Sequence, residues 1–300
     1  MTQELPLVGG IEAGGTKFVC AIGYGPGRIL ARERFPTDAS GRPRSTVEAC
    51  LDWFAREQAR LGQRIAAVGI GSFGPVDLTT ATIAATPKPG WAGFPLGKAF
   101  AEALGVPMGF DTDVNAAALG EHRWGAGQGL GTVVYLTIGT GVGGGAVIDG
   151  RILHGAVHPE MGHFLIPPAG TDGFAGNCPF HGPCWEGLCS GPALAKRWGM
   201  PADQLPANHP AWAIAAEEIA RGLYALRCVL SPQRIILGGS VPKGGQLGGP
   251  GFFALINAAL ERIDRGYLAP IPGLVVPPAL GDDAGALGCF VLAQDALQAP

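Results

Sequence analysis

At 300 residues the chain has length for roughly two domains of ~150 residues each, and its hydrophobic fraction of 47% supplies a real core. A net charge of −3 at pH 7 gives no electrostatic case for a nucleic-acid partner. The 50 glycines and 26 prolines reach a share that can signal disorder, but they are interleaved with Val, Ile and Leu and read as turns and close backbone contacts.

In chain order, the opening MTQELPLVGG lacks the basic start and apolar run of a signal peptide. Strands are expected at 7–12 and 17–23, a helix at 45–61, a strand at 66–71 and a helix at 94–104. A strand at 106–110 and a helix at 114–124 follow, then strands at 132–138 and 144–149. A helix at 210–230, a strand at 234–238 and helices at 252–266 and 283–296 complete an alternating α/β pattern. The uncharged stretch 129–148 has a membrane span's length, but each of its many glycines would cost a helix roughly 1 kcal/mol, which favours short strands.

Two segments echo one another: VGGIEAGGTKFVCAIGYGPGRIL from 8 to 30 and VYLTIGTGVGGGAVIDGRIL from 134 to 153. Each reads as strand, Gly/Thr turn, strand, turn, then Gly-Arg-Ile-Leu. Gly139, Gly141 and Gly144 also match G-x-G-x-x-G, yet the dinucleotide fingerprint requires a helix after its last glycine. Here an apolar, β-branched strand follows, with a turn at Asp149-Gly150, so that reading is set aside. There is no P-loop motif either. Two β-hairpins remain, whose turns at Gly14-Gly15-Thr16 and Gly139 to Gly143 offer backbone N–H groups to an anion. They are expected to face each other across a cleft.

Asp111-Thr112-Asp113 falls at a strand's C-terminal edge, where open α/β sheets bind ligands; Asp113 is either a helix cap or a general base. Cys178, His181 and Cys184 form C-x₂-H-x₂-C, two thiolates and an imidazole suited to a structural zinc site needing four ligands. The fourth is one of His154, His158, His163 or Cys189. Cys20, Cys50, Cys228 and Cys289 lie in apolar surroundings and read as buried thiols, consistent with a reduced, cytoplasmic setting. HPEMGH has the wrong spacing for a metalloprotease, and too few thiols are near for an iron–sulfur cluster.

Taken together, IEAGGTK, DTDVNAAALGE, TIGTGVGGG, HPEMGH and CPFHGPCWEG resemble the ROK family of repressors and sugar kinases, most closely its zinc-containing bacterial fructokinase branch, over about residues 8–290. The resemblance implies an α/β, two-domain actin-like ATPase (RNase-H-like) fold with a cleft between domains. The smaller domain would comprise 1–115 plus a C-terminal helix at about 284–300; the larger, 116–283. The first hairpin starts within ten residues of Met1, which favours the kinase branch over the repressors with their N-terminal helix-turn-helix domain.

The resemblance further implies ATP-dependent phosphorylation of a hexose, most closely fructose to fructose 6-phosphate, with Asp113 as the base. Glu160, Glu186, Asn115 and His163 would bind substrate; His163 would also be the fourth zinc ligand. Gly14, Gly15, Thr16, Lys17, Thr140 and Gly141 would meet the phosphates, and Pro192, Gly238 and Gly239 the adenosine. Glu12 stands where relatives often carry Asp and would steady Mg²⁺ through water. Thr112 replaces a common Asn. Mannose or glucose as substrate, a non-catalytic sugar sensor and a cytoskeletal or chaperone ATPase are the rivals. A homodimer is the family expectation, and neither nucleic acid nor membrane is expected as a partner.

Overall fold

The computed structural model describes residues 6–298; the outermost parts of the expected smaller domain, 1–5 and 299–300, lie outside the described residues. The described residues form two compact units, one of residues up to 128, 151–158 and from 279 onward, the other of 129–150 and 159–278.

In the first unit, β1 (Val8–Ala13) and β2 (Lys17–Gly23) form an antiparallel hairpin, and β3 (Ile29–Pro36) adds to β2. Helix α1 (Pro43–Leu61) starts with proline at its first turn and stops at Gly62, whose φ of 64° is left-handed, the combination that local sterics favour. Val47, Cys50, Trp53 and Phe54 form its buried stripe. Strand β4 (Ala67–Ser72) lies parallel to β1, and β7 (Met108–Thr112) parallel to β4, giving the order β3-β2-β1-β4-β7. Between them come the short hairpin β5 (Val76–Asp77) and β6 (Thr82–Ile83) and helix α2 (Leu96–Leu104).

Helix α3 (Asp113–Trp124) follows β7 directly. The expected domain boundary at 115/116 would cut it, but α3 packs along the last helix of the chain. There the two backbones meet at glycine: a Cβ on Gly288 would lie 1.7 Å from the Ala116 carbonyl oxygen, and one on Gly120 2.8 Å from that of Ala284. Only residues without a side chain allow this crossing, and it holds 116–128 with the first unit.

The second unit repeats the plan. Strands β8 (Thr132–Ile138) and β9 (Val142–Ile148) form an antiparallel hairpin, and the two-residue β10 (Arg151–Ile152) comes next in the chain. Helices α4 (Trp185–Cys189), α5 (Gly191–Trp198) and α6 (Ala211–Leu230) precede β11 (Arg234–Gly238), which runs parallel to β8. Helix α7 (Gly249–Asp264) and strand β12 (Val275–Val276), parallel to β11, complete this unit, and α8 (Ala284–Ala296) belongs to the first. The repeated Gly/Thr segments are thus the hairpins of two similarly built sheets, and strand rather than helix follows Gly144.

All seven cysteines are free thiols. Cys228 departs from expectation: it is exposed. Its apolar sequence neighbour Val229 is itself exposed, because the buried face of α6 ends at Arg227. Among the described residues no helix is long and apolar enough to cross a membrane.

Candidate active site

The first glycine turn closes on itself. The N–H of Gly14 donates to the Lys17 carbonyl at 3.0 Å, and the Gly14 carbonyl accepts from Oγ1 of Thr37 at 2.8 Å. Gly14 is therefore removed from the set of anion donors that its glycine suggested. The N–H groups of Gly15 and Thr16 have no partner among the described residues. Adjacent unpaired N–H groups on a tight turn make a local positive pole. Lys17 is exposed at the start of β2.

The second turn has the same economy. Gly139 donates to the Gly141 carbonyl at 2.9 Å, which leaves Thr140 and Gly141 with unpaired N–H groups among the described residues. The next N–H, of Val142, donates to Oε2 of Glu186 at 3.0 Å. Glu186 therefore braces this turn from α4, a role its sequence context did not disclose. The Gly139 carbonyl accepts the N–H of Gly191 at 2.7 Å, and Ser190 caps α5 through Ala193. Pro192 thus stands exposed beside the turn at the start of α5. Gly239, at φ 96°, lies against Ile138, where a Cβ would come within 2.3 Å of the carbonyl oxygen. The second-unit residues expected to meet a nucleotide, Thr140, Gly141, Pro192, Gly238 and Gly239, are accordingly neighbours.

Asp113 is the first residue of α3, and the cap is Thr112, whose Oγ1 accepts the Asn115 N–H at 3.2 Å. That occupies Thr112 and separates Asp113 from the capping alternative. Asn115 is buried and donates through Nδ2 to Oδ1 of Asp111 at 2.6 Å, while Oδ2 of Asp111 lies 2.8 Å from Nε2 of His154. Asn115 and His154 hold Asp111, so Asn115 supports the β7–α3 junction; its Oδ1 is left without a partner among the described residues.

Glu12, in β1, has its carboxyl held above the ordinary value by burial, opposed by Arg32, Lys17 and Arg34. Nothing among the described residues donates a hydrogen bond to it. An enclosed carboxylate with unfilled lone pairs suits a hydrated divalent cation.

Four side chains converge in the second unit: the ligand atoms of His163, Cys178, His181 and Cys184 all lie within 4.8 Å of one another. Nδ1 of His163 is 3.8 Å from Sγ of Cys178 and 3.7 Å from Sγ of Cys184. Tetrahedral zinc, with Zn–S of ~2.3 Å and Zn–N of ~2.0 Å, sets sulfur and nitrogen about 3.5 Å apart, so the donor set fits. The other candidate fourth ligands are engaged elsewhere. His154 meets Asp111, His158 accepts the Val76 N–H at 3.0 Å, and Cys189 is fully buried in the core. Burial pushes the Cys184 thiol up to about 11, partly opposed by the Gly187 N–H; a bound cation reverses that balance, because the thiolate is the ligand.

The cluster joins two segments. The short turn Met161–His163 follows Glu160, and the Trp185 N–H donates to the Phe164 carbonyl at 3.0 Å. Gly162 sits so tightly on β9 that a Cβ would fall 1.8 Å from the Val142 carbonyl oxygen. Glu160 itself is exposed. Sequence reasoning missed Lys88, whose side chain lies against Gly15.

The model of the family described as the ROK family matches residues 8–296. A fructokinase of Zymomonas mobilis is 40% identical over 98% of this chain and 98% of its own length. Among solved structures, a ROK hexokinase from Thermus thermophilus is 30% identical, with a TM-score of 0.81 over 97% of this chain and 99% of its own. A ROK family glucokinase from Streptomyces griseus, in complex with glucose and AMPPNP, is 28% identical, with a TM-score of 0.71 over 96% and 99%. The two α/β sheets and these neighbours identify the actin-like ATPase fold. By a match spanning nearly the whole chain, the protein belongs to the ROK family.

Proposed function

We propose that this protein is an ATP-dependent sugar kinase whose substrate is D-fructose, phosphorylated on its 6-hydroxyl. The observation that carries the reading is the repeated glycine turn, which in each unit leaves two adjacent backbone N–H groups unpaired among the described residues. Gly15 and Thr16, with Lys17, serve the triphosphate in one unit, and Thr140 and Gly141 in the other. Pro192, Gly238 and Gly239 receive the adenosine. Fructose is preferred because the fructokinase relative is 40% identical and the glucokinase neighbour 28%.

Asp113 accepts the proton of the sugar hydroxyl as that oxygen attacks the γ-phosphorus, an effect of about 10²–10⁴-fold. Positioning and charge stabilisation supply the remainder. Glu160, Glu186 and His163 hydrogen-bond the sugar, and Asn115 keeps the β7–α3 junction in shape. Mg²⁺, held through water by Glu12, would neutralise phosphate charge. Zinc on His163, Cys178, His181 and Cys184 would be structural, fixing the segments that carry Glu160 and Glu186, since four protein ligands leave no open position. The protein is taken to act in the cytoplasm, as a homodimer.

A coupled assay of ADP release over fructose, mannose, glucose and N-acetylated hexoses tests this. Release should depend on sugar and be fastest with fructose. Equal release without sugar would reject the kinase, and a preference for glucose or mannose would reject the specificity.

A further inference from the structure

Lys88 lies in the segment between β6 and α2, far in sequence from the first glycine turn, yet its side chain ends against that turn. A Cβ on Gly15 would lie 2.8 Å from Cε and 3.0 Å from Nζ of Lys88. The end of the Lys88 side chain thus occupies the space directly beside Gly15. On another side, Nζ is 5.6 Å from the centre of the Phe73 ring.

The segment is held firmly enough to make this placement meaningful. Trp91, three residues on, is fully buried against Phe18, Phe73 and Phe94, with ring centroids 5.4–5.7 Å away. Its indole N–H donates to the Asp38 carbonyl at 2.8 Å, and its backbone N–H to that of Lys88 at 3.2 Å. Gly90, at φ 75°, lets the chain pass Gly41, where a Cβ would meet the carbonyl oxygen at 2.6 Å. Lys88 is partly enclosed, and among the described residues it has no ion-pair partner. A partly desolvated ammonium beside two N–H groups that are unpaired among the described residues, with no carboxylate among them to neutralise it, is complementary to an anion.

We propose that Lys88 contacts the terminal phosphoryl group of the nucleotide and stabilises its charge during transfer. This rests on the kinase reading above. As the hydroxyl oxygen bonds to the γ-phosphorus, the bond from phosphorus to the bridging oxygen breaks. ADP leaves with that electron pair, and the hydroxyl proton passes to Asp113. Lys88 keeps its proton throughout and acts as a fixed charge, with a larger share of the work than the exposed Lys17.

The test compares wild type with Lys88→Met and Lys88→Arg, using fructose turnover and calorimetric binding of AMPPNP and ADP in the presence of Mg²⁺. Lys88→Met should lose about 10²–10³-fold in kcat, the usual scale for one charge-stabilising donor, and Lys88→Arg should recover part of it. AMPPNP affinity should fall about tenfold more than ADP affinity, as expected when one charge-assisted contact to the extra phosphate is removed. A merely structural role would weaken both nucleotides alike. An unchanged AMPPNP-to-ADP ratio overturns the proposal, as does a raised fructose KM with nucleotide binding intact. Should wild type itself release no ADP with any sugar, the kinase reading fails; an active wild type with an unaffected Lys88→Met sinks the Lys88 assignment alone.

Discussion

Asp113→Asn separates chemistry from folding. The change swaps one carboxylate oxygen for an amide nitrogen at nearly constant volume. In the native chain Oδ1 of Asp113 accepts the Val114 N–H at 2.9 Å, and an asparagine oxygen can accept the same bond. The cap of α3 also survives, because it belongs to Thr112 and Asn115. The helix loses one negative charge at its N-terminus, about 0.3–1 kcal/mol. That corresponds to at most about 4 °C in Tm for a chain of this size. The reaction loses its proton acceptor, about 10²–10⁴-fold in kcat, or about 3–5 kcal/mol of barrier. The catalytic loss therefore exceeds the stability loss several-fold, and the two are read independently by a coupled ADP assay at saturating fructose and by thermal melting. Nucleotide affinity should stay near wild type. A kcat within about tenfold of wild type would refute the assignment, since the loss expected for a general base is larger.

Three further outcomes follow from the geometry. Gly141→Ala would place a methyl 2.6 Å from Oε2 of Glu186, so the KM for ATP should rise several-fold; an unchanged KM would place this turn away from the nucleotide. Burial holds the Glu12 carboxyl above its ordinary value near 4.5, so the native chain binds this proton more tightly than the unfolded one. Its contribution to stability falls as pH rises from 4.5 through the native value. Glu12→Gln should flatten that part of the Tm-against-pH profile and raise the Mg²⁺ requirement; an unaltered slope would contradict the burial argument. Cys184→Ser should lose stoichiometric zinc, measured by elemental analysis, and lower Tm and activity together. Full activity in a metal-free chain would remove the structural metal.

Both hairpins were readable because a glycine turn between two β-branched runs has one simple local solution, and β8 and β11 lie at 132–138 and 234–238 as their patterns indicate. Strand β3 was not readable. Arg32, Glu33 and Arg34 interrupt its apolar alternation, and as an edge strand it leaves most of its residues partly exposed. The placement of α3 was equally hidden, since it depends on Gly120 meeting a helix far along the chain. For the zinc ligands, Cys178, His181 and Cys184 were legible from their spacing, whereas His163 needed either the family pattern or the fold. Lys88 and the brace from Glu186 to Val142 left no trace in local sequence, because both are contacts between segments distant along the chain.

The most direct test follows the phosphoryl group itself. With ATP labelled at the γ-phosphate, Mg²⁺ and fructose, label should appear in fructose 6-phosphate in step with ADP, and that transfer should vanish in Asp113→Asn. Label recovered as inorganic phosphate at the same rate with or without fructose would contradict the account.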